Sequence, residues 1–137
     1  MIIEQLARLI GEDQVITESA VLADHRFDRW CLKHWQDWQG VDIAAPLCVV
    51  RPTSVESVQA VVRHAAVNQI SIVPRGLGSG VCGGIEPTAD QILLDMSAMD
   101  RILTIDEENL LLRVEAGING LTAEEVVAAR GLTIGHW

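Results

Sequence analysis

The apolar positions of the chain recur at helical spacing in three segments. Residues 2–10 show the i, i+3, i+4 pattern of an amphipathic helix that Gly11 would end. The apolar stripe of residues 55–68 follows Thr53, which begins a Thr-x-x-Glu capping box. A second capping box begins at Thr122 and opens a helix that ends at Gly131. The pattern therefore predicts a helix at each of these three segments, two of them capped by threonine.

Short apolar runs between these helices predict strands at residues 46–50, 70–74, 92–95, 102–106 and 110–117. The first two strands flank the helix at 55–68 and form a βαβ unit with it. The run at 70–74 is entirely apolar, which is typical of a strand buried on both faces. Residues 106–109 favour a hairpin turn between the last two strands. The predicted fold class is α/β (α+β), a small mixed sheet with flanking helices.

Residues 30–38 place three tryptophans on one helical face, together with a cysteine and a histidine. We interpret this helix as a staple that fixes the N-terminal arm, residues 1–45, to the core. An interface, a lid or a contact with a further domain is the alternative. Cys31, His34 and the upstream His25 could suggest a metal site, but a cysteine and a histidine on an apolar helical face more commonly serve packing. We expect no metal.

The charge balance excludes several classes of partner. The 137 residues carry a net charge of −9 and a single lysine, Lys33, so we expect neither nucleic acid nor an anionic membrane as partner. The longest apolar run, residues 43–50, is too short to cross a bilayer. The first residues lack the basic region of a secretory signal, and the scattered cysteines favour a reducing, cytoplasmic location. The sequence leaves open whether the protein forms a homo-oligomer.

The densest chemical signal is a glycine-rich segment, residues 74–84, directly after a predicted strand. Glycines let a ligand approach the backbone, and successive free N–H groups form a concave anion site. Arg75 adds positive charge and Ser79 adds a hydroxyl donor. We therefore predict a phosphate or pyrophosphate site in this segment, called here the glycine loop. The alternative is a turn without a ligand.

A nicotinamide-dinucleotide site of the Rossmann type is a second interpretation of the same glycines. Gly78, Gly80 and Gly83 match G-x-G-x-x-G, and Asp95 ends a later strand where a ribose-binding acid would stand. The spacing opposes this interpretation. A Rossmann loop runs into a crossover helix, whereas only residues 85–91 precede the next strand and Pro87 lies among them. No helix is expected there.

The sequence PRGLGSGVCGG at 74–84 resembles the pyrophosphate loop of the FAD-binding oxidases of the vanillyl-alcohol oxidase / p-cresol methylhydroxylase (PCMH) type. The order of ISIVPRG, ILLDMSAMDRI, VEAG and GLTIGH along the chain strengthens the resemblance. It is nearest to the branch with D-lactate dehydrogenases, glycolate oxidase and alkylglycerone-phosphate synthase. The likeness extends over residues 46–137 and is weak over residues 1–45.

The resemblance implies a cofactor, a site and a domain division. FAD would be bound, with its pyrophosphate wrapped by Pro74, Arg75, Gly76, Leu77, Gly78, Ser79, Gly80 and Val81. His136 would lie near the flavin end. Residues 46–137 would form the first FAD-binding subdomain of the PCMH-type fold, incomplete and preceded by the helical arm. Relatives continue into a second FAD subdomain and a substrate domain that supply most catalytic groups, so no catalytic residue is assigned.

The implied function is the FAD-binding portion of an oxidoreductase that acts on a small 2-hydroxy acid or related alcohol and transfers a hydride to the flavin. We expect the 137-residue chain to be inactive alone. Some relatives attach the flavin through a loop histidine where Ser79 stands, so we expect a non-covalent FAD. An alkylglycerone-phosphate synthase-like alkyl transferase, a non-catalytic nucleotide-binding module and a degenerate structural domain are the alternatives.

Overall fold

A computed structural model describes residues 1–136. Its helices are α1 (Ile2–Ile10), α2 (Ser19–Asp24), α3 (Cys31–Trp38), α4 (Val55–Val67) and α5 (Gly120–Ala128). Its strands are β1 (Val15–Ile16), β2 (Cys48–Val50), β3 (Ile72–Arg75), β4 (Ile92–Asp95), β5 (Ile102–Asp106) and β6 (Leu111–Val114). Two short 3₁₀ turns cover Glu12–Gln14 and Met96–Ala98. Most of the predicted elements are therefore present near their expected positions.

A four-stranded mixed sheet in the order β1-β2-β4-β3 forms the centre of the molecule. β2, β4 and β3 run parallel, and β1 pairs antiparallel with β2. β5 and β6 form a separate antiparallel pair, joined by the expected turn in which Asp106 accepts hydrogen bonds from Asn109. The prediction of a small mixed sheet with flanking helices is confirmed.

The two faces of this sheet bury different sets of side chains, because successive residues of a strand point to opposite sides. One face, with Cys48, Val50, Ile92 and Leu94, is covered by α1 and α4. The other face, with Val49 and Leu93, packs against Ile85 and the apolar residues of α2. Residues of the N-terminal arm thus contribute to both layers: Leu6 of α1 is fully buried on the first face.

The strand predicted to be buried on both faces is not so placed. β3 lies at an edge of the sheet and its residues are only partly buried, whereas β2 and β4 are buried along their whole length. β4 also separates the two strands of the βαβ unit, so β2 and β3 do not pair. An apolar run identifies a strand, but whether that strand is central or at an edge of the sheet depends on a strand that comes later in the chain.

Both helix caps differ from the predicted ones. α4 is capped by Ser54, whose hydroxyl accepts a hydrogen bond from the Ser57 backbone N–H at 3.1 Å. α5 is capped by Asn119, which accepts from the Leu121 N–H at 2.9 Å, so that Thr122 lies inside the helix. Serine and asparagine compete with threonine for the capping position. The Thr-x-x-Glu spacing therefore does not by itself determine which residue caps the helix.

The staple assigned to α3 is wrong for two of its tryptophans. Trp35 is 56% exposed and Trp38 is 79% exposed, and no residue of α3 itself is buried. Only Trp30, the residue that precedes the helix, packs inward. α1, α4 and α5 each bury apolar residues, and α2 packs partly buried ones against the second face of the sheet. Among residues 1–136, no helix combines the length and the apolar character that crossing a membrane requires.

Candidate functional site

The glycine loop begins at the carboxyl end of β3 and leads back to β4. Because these strands are parallel neighbours, Arg75 and Asp95 stand opposite each other where both strands end. Residues 76–91 cross from one strand to the other without a helix. This confirms the expectation that opposed a Rossmann site, and the loop itself must provide the binding surface at this edge.

Asp95 lies at the centre of a charged cluster under the loop. Its carboxylate is 1% exposed. Oδ2 accepts a hydrogen bond from Arg51 Nε at 2.9 Å and lies 3.3 Å from His25 Nε2. Oδ1 accepts from the Ser97 backbone N–H at 3.0 Å and lies 3.8 Å from an Arg75 guanidinium nitrogen. One carboxylate thus connects α2, β2 and β3 to the end of β4.

The ionisation of Asp95 follows from these partners. Burial disfavours the charged form and by itself raises the pKa of Asp95. The hydrogen bonds from His25, from Ser97 and from Arg51 outweigh it and hold the pKa well below its ordinary value. His25 also places Nδ1 2.8 Å from the carbonyl oxygen of Val21. The cluster is therefore an anion held between the Arg51 and Arg75 guanidinium groups, at the point where the glycine loop leaves β3.

Arg75 has unused hydrogen-bonding capacity. Its side chain is 15% exposed, and Nε is buried without a partner among the described residues. The guanidinium lies against Gly78, where an added Cβ would stand 2.7 Å from Nη2. A buried donor without an acceptor costs about 1–3 kcal/mol. An anionic ligand at this point would supply the missing acceptor.

The backbone of the loop offers further donors. The hydrogen bonds found among residues 1–136 include none donated by a backbone N–H of residues 77–83. Gly78 is buried with φ +71°, a conformation that side chains disfavour. The space that a side chain at Gly78 would fill is taken by the Arg75 guanidinium, so this glycine lets the arginine lie against the main chain of a loop with free N–H groups. These features fit a pyrophosphate group.

The arm contacts this loop from one side. Asp28, 3% exposed, accepts hydrogen bonds from the backbone N–H groups of Trp30 at 2.9 Å and Gly84 at 3.0 Å. The Arg29 N–H donates to the Gly80 carbonyl at 2.8 Å. Sequence reasoning missed Asp28. In the structure Asp28 stands out because its carboxylate is buried. Nothing in the local sequence of residues 24–30 distinguishes it from the exposed acids nearby.

A cleft of about 430 Å³ lies beside the arm and reaches the loop. Arg26, Arg29 and Arg75 contribute its positive charge, and Asp24, Asp28 and Asp37 contribute its negative charge. Arg26 pairs with Asp37 at 2.9 Å across it. The cleft is polar on most sides and its charges are balanced. The free capacity for an anion therefore lies at Arg75 and the loop.

The predicted site residues fall into two places. Pro74 to Val81 are contiguous around the end of β3, and five of these eight residues are exposed. His136 lies apart, exposed in the segment after α5, and no hydrogen bond joins it to the loop among residues 1–136. Glu124 holds that segment through Thr133 Oγ1 and the Ile134 N–H. These hydrogen bonds lower the pKa of Glu124. Trp137 lies outside the described residues.

The sequence model of a family described as "FAD binding domain" matches residues 46–137. An uncharacterized FAD-linked oxidoreductase of Escherichia coli K12, YgcU, is 33% identical over 98% of this chain, which covers 28% of that protein. Glycolate oxidase subunit GlcD of Bacillus subtilis is 34% identical over 64% of this chain and 18% of its own length.

Solved structures agree with the fold. An alkyldihydroxyacetonephosphate synthase structure superposes with a TM-score of 0.88 at 26% identity, over 98% of this chain and 26% of that one. p-Cresol methylhydroxylase superposes with a TM-score of 0.78 at 24% identity, over 96% and 24% respectively. The PCMH-type fold expected from the sequence is confirmed. The chain spans about a quarter of the length of these proteins.

Proposed function

The chain belongs to the FAD binding domain family, and on that premise we propose that its glycine loop holds the pyrophosphate of FAD through residues Pro74 to Val81. One observation carries the proposal. Arg75 has a buried Nε without a partner beside Gly78, in a loop whose backbone N–H groups at 77–83 are also free of partners among the described residues. A doubly charged pyrophosphate supplies acceptors for this set of donors.

The proposed division of labour follows from position. Residues 46–137 form the FAD-binding part, and the N-terminal arm, residues 1–45, supports it. Arg75 and the loop N–H groups bind the pyrophosphate, and Asp95 fixes Arg75 and Arg51 from below. His136 remains a candidate for the flavin end. When bound, FAD would accept a hydride from the substrate, and this chain would hold and orient it.

For the whole protein we propose a flavin-dependent oxidoreductase acting on a small 2-hydroxy acid or a related alcohol. The likeness to glycolate oxidase subunit GlcD supports this substrate class. Alkyl transfer is the second candidate, favoured by the 0.88 TM-score and 98% coverage with alkyldihydroxyacetonephosphate synthase. A cytoplasmic location, a small-molecule substrate and self-association into a homo-oligomer belong to the same proposal.

Anaerobic titration of the purified whole protein tests the two candidates. We expect a flavin absorption spectrum that bleaches on addition of D-lactate or glycolate. Retained flavin that no hydroxy acid bleaches, together with turnover of an acyl glycerone phosphate and a fatty alcohol, would support alkyl transfer instead. A preparation that neither retains nor rebinds FAD would contradict the cofactor assignment, and in that case the non-catalytic nucleotide-binding module would gain support.

The mode of attachment forms a separate prediction. Ser79 stands where some relatives have the histidine that bonds the flavin, and a serine hydroxyl has almost no alkoxide near neutral pH. We expect acid precipitation of the whole holoprotein to release the yellow colour into the supernatant. Flavin fluorescence that stays with the denatured polypeptide on a gel would contradict a non-covalent FAD.

A further inference from the structure

The arm contacts one half of the glycine loop and leaves the other half alone. Hydrogen bonds from the arm reach Gly80 and Gly84, and the Trp30 ring lies against Gly83. No hydrogen bond among the described residues joins the arm to the backbone of residues 76–79. The proposed site spans both halves: Arg75 and Gly78 belong to the half without hydrogen bonds from the arm, and Gly80 belongs to the half that the arm contacts.

Asp28 makes the central contact on the arm side. The two carboxylate oxygens accept from two different segments: Oδ1 from the Trp30 N–H and Oδ2 from the Gly84 N–H. Oδ2 also lies close to Gly80, where an added Cβ would be 3.0 Å from it. A buried carboxylate that accepts backbone N–H groups is a strong hydrogen-bond partner. Asp28 therefore fixes the spacing between the arm and both ends of residues 80–84.

A second contact orients a peptide unit of the loop. The Arg29 N–H donates to the carbonyl oxygen of Gly80, which therefore faces the arm. In a trans peptide the carbonyl and the following N–H point in opposite directions. The Val81 N–H is thus turned away from the arm. Without this bond, the Gly80 carbonyl could rotate toward the anion site and repel a phosphate.

Two side chains complete the arrangement. A Cβ at Gly83 would stand 2.6 Å from the Trp30 ring, so the indole covers that glycine directly. Lys33, 14% exposed, forms an ion pair with Glu86, two residues after the loop. Three arm residues, Asp28, Arg29 and Trp30, therefore contact the distal half of the loop, and Lys33 pairs with the segment that follows it.

We propose that the arm segment 28–33 positions the cofactor loop, with Asp28 as the principal positioning residue for pyrophosphate binding. This inference rests on the proposed function. Asp28 does not touch the cofactor; it acts through the backbone of residues 80–84. The segment lies outside residues 46–137, which the family model matches, and makes the binding site depend on a part of the chain that precedes it.

Asp28→Asn in the whole protein tests the proposal, with Asp37→Asn as the matched control. Asn offers a single acceptor oxygen and turns an N–H₂ group toward one of the two backbone donors. We expect the Kd for FAD to rise about tenfold or more. Asp37 is also an arm acid in an ion pair, with Arg26, but does not contact the loop. Its variant should bind FAD like the wild type.

The ligand series separates positioning from general loss of structure. FAD and ADP carry a pyrophosphate and riboflavin does not, so Asp28→Asn should weaken FAD and ADP and leave riboflavin binding and the Tm of the apoprotein near the Asp37→Asn values. An unchanged Kd for FAD, or an equal loss for riboflavin, would overturn the proposal. A wild-type protein that binds no FAD would instead refute the proposed function.

A second pair of variants covers the case in which Asp28→Asn does not fold. Trp30→Ala removes the ring from Gly83, and Trp35→Ala removes an exposed indole of the same helix that does not contact the loop. We expect about a fivefold weaker Kd for FAD in the first variant and no change in the second. Equal affinities in both variants would overturn the role of the arm.

Discussion

Gly78 joins the two features on which the proposed anion site depends, a left-handed backbone and close contact with Arg75. With φ at +71° and the guanidinium 2.7 Å from the position of a Cβ, a side chain there strains the backbone and displaces the arginine. We expect Gly78→Val in the whole protein to lose bound FAD and keep its far-UV circular dichroism. Flavin content after purification measures the outcome.

Gly84 provides the control for that variant. An added Cβ there meets nothing within 4 Å, and its N–H remains available to Asp28. Gly84→Ala should therefore retain FAD at the wild-type stoichiometry. Flavin retained equally by both variants would contradict the role of the loop as a pyrophosphate cradle, whereas loss in both would indicate a general sensitivity of the loop to substitution.

The three cysteines should differ sharply in reactivity. Cys31 and Cys82 are exposed, while Cys48 is fully buried in β2, and burial raises the pKa of its thiol to about 11. We expect iodoacetamide at neutral pH to modify Cys31 and Cys82 in the native protein and Cys48 only after denaturation. Peptide mapping by mass spectrometry measures each site. Added FAD should slow modification at Cys82, which lies in the loop; Cys31 is the internal reference.

At the scale of elements, the cluster around Asp95 connects three segments whose ends surround the site. Asp95→Asn removes the buried anion that pairs with the Arg51 and Arg75 guanidinium groups, and we expect this loss to cost about 3 kcal/mol of unfolding free energy at neutral pH. The pKa of Asp95 is lowered in the folded protein. Its stabilising effect is therefore complete above the ordinary aspartate pKa of about 4 and declines as the pH falls below it.

Denaturant titration over a pH series measures this effect. The difference in unfolding free energy between wild type and Asp95→Asn should be greatest near neutrality and shrink in acid. Asp90→Asn is the control, since Asp90 lies on the exposed turn before β4 and is not part of the cluster. A difference that stays constant through the acid range would argue against an ionised Asp95 as the source of the stability.

The elements also show what the sequence can determine. Residues 2–10 and 92–95 were predicted with the bounds that the structure has, because their apolar periodicity is a local property. The edge position of β3 was missed, because it depends on β4 entering the sheet beside it. Asp28 was missed for the same reason: its partner Gly84 lies 56 residues away in the chain. The glycine loop was visible because its composition alone indicates its chemistry.

At the scale of the whole molecule, the chain is about a quarter of the length of its relatives. The proposed site presents the pyrophosphate loop, and nothing among residues 1–136 is assigned a catalytic role. We expect a polypeptide limited to residues 1–137 to show no dye reduction with D-lactate or glycolate and to bind FAD weakly. The whole protein under the same conditions is the positive control. Saturable turnover by the short polypeptide would contradict this expectation.

The strand order β1-β2-β4-β3 has a consequence for how the protein acquires its structure. During synthesis β2, α4 and β3 leave the ribosome before β4, which is the strand that lies between β2 and β3 and pairs with both. Until then both strands expose unpaired backbone edges, a state prone to misassociation. The glycine loop joins β3 to β4 and so closes only with that late insertion. The proposed binding of FAD by the loop would therefore follow the completion of the sheet.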